Sequence, residues 1–167
     1  MLNQHFPGRN PSNTMRDSEL FDKAVGTFFK PLADRFGLPV VRVRHGIFDI
    51  SSQHFIMRIR LHTGHHRGLN VILRPAAFRD FDENKPGNVL GITCFMEFHG
   101  ESREEIFIEI STDEQFLELA RRLAMAAERY AVPYLLGEGK DWEAVRKMVE
   151  RKTQEGVEKI KNYPFLW

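Results

Sequence analysis

The sequence predicts a single α+β domain: an antiparallel, meander-like sheet of about six short strands, with one N-terminal and two C-terminal helices packed on one face. Three observations carry this. Apolar residues recur at helical spacing over 18–36, 113–131 and 141–160. Between them, over 40–110, apolar and polar residues alternate instead. The connections inside that middle stretch are mostly short, and short connections join antiparallel neighbours, because a parallel pair needs a crossover of roughly a dozen residues. A chain of 167 residues, 42% hydrophobic and 28% charged, is large enough to bury one full core and has the composition of a globular protein.

Residues 1–16 read as a tail, because Pro7, Gly8, Asn10, Pro11 and Ser12 are turn formers without periodicity. The domain then spans 17–167. Its first helix is capped by Asp17 or Ser18 and buries Leu20, Phe21, Val25, Phe28, Phe29, Leu32 and Phe36. Pro31 should kink or break it near Lys30, and Gly37 should end it. Strands follow at about 40–44, 47–51, 54–62, 68–74, 89–98 and 105–110, with His45-Gly46 as a two-residue hairpin turn. Thr112 with Gln115, or Ser111 with Glu114, forms a capping box for the second helix. Its apolar stripe is Phe116, Leu119, Ala120, Leu123, Ala127 and Tyr130, and Pro133 stops it. The third helix starts after Asp141.

Bulk properties exclude several classes. Cys94 is the lone cysteine, so neither an intramolecular disulfide nor a four-cysteine zinc site can form. The N-terminus lacks a secretory pattern, and no apolar run approaches the ~20 residues that span a bilayer. A cytoplasmic location and no membrane partner are the expectation. The net charge of +1 argues against a dedicated nucleic-acid binder. The basic excess is regional: residues 1–100 hold 13 Lys/Arg against 9 Asp/Glu, and all seven histidines.

Strand parity separates two sheet faces, since alternate side chains point to opposite sides. With a two-residue turn, Arg44 faces Ile47 and Arg42 faces Asp49, which puts Val41, Val43, Phe48 and Ile50 on the inner face. The outer face then collects Arg42, Arg44, Arg58, Arg60 and Arg74, interleaved with apolar residues including Phe95 and Phe107. Arginine offers a planar fork for carboxylates, and aromatic neighbours supply desolvated contact area. These seven residues are the candidate partner-binding set. The expected function is that of a non-enzymatic intracellular binding or accessory protein, meeting a protein or anionic partner or a second copy through this face. The order of one helix, a meander and two helices resembles, in architecture alone, many small bacterial accessory proteins, including some that neutralise toxins.

Catalytic and cofactor motifs fail on spacing, and no cofactor is expected. Asp80-Phe81-Asp82-Glu83-Asn84 opens like a calcium loop, but Lys85 and Gly91 stand where glycine and glutamate are needed. Gly137-Glu138-Gly139-Lys140 lacks the first glycine and the hydroxyl of a phosphate loop, and reads as a turn between helices. Cys94 falls on the buried face, where a thiol stays neutral and inert. The enzymatic alternative is a metal-dependent or acid–base hydrolase built on His62, His65 and His66, the only metal-ligand candidates, with Asp80 or Asp82.

Overall fold

The computed structural model describes residues 11–63, 67–78, 88–102, 104, 106 and 110–161. Its element order is α1 (Pro11–Ala24), a π-helical turn (Val25–Phe29), α2 (Lys30–Arg35), β1 (Val40–Arg44), β2 (Ile47–Ser51), β3 (Phe55–Thr63), β4 (Arg67–Pro75), β5 (Leu90–Gly91), α3 (Ile92–Phe98), α4 (Asp113–Tyr130), α5 (Val132–Leu135) and α6 (Trp142–Lys161). The α+β class is as expected. Among the described residues the sheet has five strands in the order β1-β2-β3-β4-β5, all antiparallel, where about six are expected.

The first helix starts at Pro11, so residues 11–16 are helical. Proline suits a first helical position, where its missing N–H has no intrahelical partner to lose. Asp17 is therefore no cap. It accepts hydrogen bonds from Arg67 Nε and Nη2 at 2.8 and 2.5 Å. Arg16 in turn donates to Asp113 at 2.7 Å, so one charge network ties α1, β4 and the start of α4. Pro31 does not end the helix. The wider π turn over Val25–Phe29 precedes it and absorbs both the missing N–H and the ring. Gly37, at φ 65°, closes α2: its N–H reaches Asp34 O, and the Leu38 N–H reaches Ala33 O.

The largest correction concerns 89–98. Only Leu90 and Gly91 are strand, and Ile92–Phe98 is helix. Leu90, Ile92, Cys94, Met96 and Phe98 alternate, but Ile92, Phe95 and Met96 also fit a helical stripe, and those three are the buried ones. The helix closes on Gly100, whose N–H meets Glu97 O while the Glu101 N–H meets Met96 O. Cys94 is accordingly a half-buried helix residue beside the core. The expected strand 105–110 falls largely outside the described residues.

Among the described residues, α1, α3, α4 and α5 pack on the inner face or its ends. α4 lies against β4, α1 and α3, and α5 lies against β3. The capping box is the Thr112–Gln115 one: Gln115 N–H donates to Thr112 Oγ1 while Gln115 Oε1 accepts from the Thr112 N–H. Every residue of the expected α4 stripe is buried. On its solvent side, Glu118 accepts from Arg121 and Arg122, one turn ahead. The hydrogen bond from Arg121, then that from Arg122, lowers the Glu118 carboxyl to about 2. A carboxylate with a depressed folded pKa stabilises the fold above its ordinary range of about 4.5, and that contribution disappears as pH falls towards 2. An NMR titration of the Glu118 carboxyl should show this low midpoint, and the Arg121→Ala, Arg122→Ala double variant should return it towards the ordinary range.

Candidate functional site

The outer sheet face is built from three cross-strand rows. Arg44, Ile47, Arg60 and Asn70 form one. Val41, Asp49, Arg58, Ile72 and Gly91 form the next. Ser51, Ile56 and Arg74 form the third. The helices that bury the inner rows, such as Ile50, Met57, Leu73 and Leu90, lie on the opposite side. Ile47 and Ile72 are buried among arginine neighbours, outside the main core cluster.

The register of β1 departs from the expected one. Arg44 does face Ile47 across the His45-Gly46 turn, but Arg42 faces Phe48 and Val41 faces Asp49. One extra residue, Val43, sits in the ladder between Arg42 and Arg44 as a bulge. The bulge reverses the parity of β1 on its N-terminal side. Arg42 turns to the helical side, where it pairs with Asp22 of α1 at 2.5 Å and lies over the Phe48 ring at 4.7 Å. Val41 and Val43 are left 53% and 48% exposed. Among the described residues, only Met125 is a more exposed large apolar side chain than Val41.

The other expected partner-binding residues divide. Arg58 makes a bidentate pair with Asp49, at 2.8 and 2.9 Å, with both side chains mostly buried. Arg60 is half-buried on the same face and Arg44 is exposed at the strand end. Arg74 is on the face but only 6% exposed, with Nη1 donating to Pro75 O, so it is no contact surface. Phe95 is removed from the set: on α3 it is 1% exposed and packs on Tyr134 and Trp142 at ring distances of 5.3 and 6.0 Å. Phe107 lies outside the described residues, as do His65, His66, Asp80 and Asp82. His62 is exposed on β3 across from Gly68. Among the described residues, no group of three His, Cys, Asp or Glu side chains is placed to hold a metal ion.

A concavity of about 300 Å³ opens where α3, α4 and the turn before α6 meet. His99 stacks on Tyr130, with ring centres 5.3 Å apart, and its Nε2 lies 3.5 Å from Asp141 Oδ2. The Tyr130 hydroxyl donates to Glu101, and burial followed by that hydrogen bond pushes its pKa upward. Burial likewise raises Tyr134, whose hydroxyl oxygen accepts the Asp141 N–H at 3.0 Å. Sequence spacing could not bring His99 and Asp141 together, because they belong to different elements. Val41 and Val43 were missed for another reason. Val-Arg-Val-Arg alternates equally well in either parity, and burying the valines is the better choice until Asp22 and Phe48 are known to receive Arg42.

No protein-family model matches the chain, and no curated protein or solved structure matches it either. No described helix is long and apolar enough to cross a membrane.

Proposed function

We propose that the chain is a protein-binding module whose recognition surface is the outer sheet face at its β1 end. The observation that carries this reading is the pair Val41 and Val43, exposed on an edge strand next to Arg44 while the helices occupy the other face. Exposed apolar side chains beside arginine match the composition of interface centres. The small net charge gives phosphate-driven affinity little support, so a protein partner is favoured over nucleic acid.

A photoreactive amino acid placed at Val41 tests the reading in cells. We expect a discrete protein adduct that disappears when Arg44→Glu is added, and no such adduct from a probe at Met125 on α4. Equal adducts from both positions, or none from Val41, would overturn it.

A further inference from the structure

We infer that the β1 edge accepts an extended, acidic segment of another protein as an added strand. This rests on the reading of the β1 end as a protein-binding surface and assigns the partner's chemistry. Among the described residues β1 has β2 as its only strand neighbour, so one side of its backbone offers N–H and C=O groups that a sheet would otherwise pair. Four of its five residues are exposed.

The chemistry of the edge selects its occupant. Residues 40–46 read Val-Val-Arg-Val-Arg-His-Gly, with two arginines, one histidine and no carboxylate. Arg42 is neutralised by Asp22, and Asp49, across from Val41, is taken by Arg58. Arg44 has no ion-pair partner among the described residues and stands exposed beside the exposed His45. An incoming strand that carries an apolar residue and, two positions along on the same face, an acidic one would cover Val41 and place a carboxylate on Arg44.

A second copy of the chain is a poorer occupant. Pairing two β1 strands would bring arginines from both copies together, and like charges across strands destabilise a sheet. The charges that blunt this edge against its own copy therefore favour an acidic strand, a form of selectivity by repulsion.

The test uses the full chain and three fluorescent, end-capped peptides: one repeating Val-Thr-Glu-Thr, so that valine and glutamate alternate along one face, one with lysine in place of glutamate, and an N-methylated form of the first, with alternate amides blocked in each register. We expect saturable anisotropy with the glutamate–valine peptide only. Arg44→Glu should weaken it at least about tenfold, the effect of reversing a directly paired charge. Circular dichroism of the variant checks that the fold is kept, and Arg151→Glu on α6 serves as a charge-matched control that should bind like wild type. No binding of the glutamate–valine peptide overturns the proposal, as does equal binding of the N-methylated or lysine peptide. An adduct from Val41 that persists in cells while the peptide fails would overturn the acidic-strand assignment alone and leave the protein-binding surface standing.

Discussion

Gly139→Ala should destabilise the fold by about 3 kcal/mol, the upper end of what overpacking a filled site costs. The Gly139 backbone lies flat against the Tyr134 ring, and a Cβ there would stand 2.2 Å from Tyr134 Cδ1. Neither side can retreat. The ring is held by Phe55, Phe95 and Trp142, with centres 5.2, 5.3 and 5.9 Å away, and its hydroxyl oxygen accepts the Asp141 N–H. The turn is held because Glu138 and Gly139 both donate to Pro133 O, at 2.8 and 3.1 Å. Urea unfolding should show a lower midpoint with an unchanged slope. Gly156→Ala is the matched control. It sits in α6 with open space where a Cβ would go, and should gain about 0.5–1 kcal/mol from helix propensity. Equal midpoints for the two variants would show that the turn is not packed on Tyr134.

Phe95→Ala should cost about 3–5 kcal/mol, as for other fully buried aromatic side chains cut to alanine. The side chain is 1% exposed and joins α3 to α5 and the first turn of α6 through Tyr134 and Trp142. Had 92–98 been a strand with Phe95 on the outer face, the same change would fall within about 0.5 kcal/mol, the usual range for surface positions. The unfolding midpoint of this one variant therefore separates the helix from the strand that period-two alternation suggested.

These residues show how far the sequence could be read. The α4 stripe and its Thr112–Gln115 cap were legible because both are local: one depends on helical spacing and the other on two side chains three residues apart. The first two strands were legible in extent for the same reason, with a two-residue turn and β-branched residues on both sides. What was not legible depended on distant partners. Ile92–Phe98 fits either period, and the choice falls to Tyr134 and Trp142, which pack around Phe95 from the far end of the chain. The bulge in β1 inserts one residue without a glycine or proline to mark it, which reverses the faces of Val41 and Arg42 and leaves Val43 exposed. Of the expected partner-binding residues, Arg44, Arg58 and Arg60 keep their place on the outer face. Arg42 moved to the helical side, and Arg74 stayed on the face but is buried.

The same bulge explains why the β1 end differs from the rest of the face. Along β3, arginines and isoleucines are tied into cross-strand rows, and Arg58 is committed to Asp49. On β1, two valines and Arg44 face outward with no strand beyond them among the described residues. A recognition surface needs such uncommitted groups, because contacts already satisfied within the fold have little left to give a partner.

Amide hydrogen exchange of the full chain is to be compared with and without a saturating concentration of the glutamate–valine peptide. We expect slowed exchange concentrated in residues 40–44 when the peptide is bound. Unchanged exchange there, or protection centred on His99 and Asp141 instead, would contradict it.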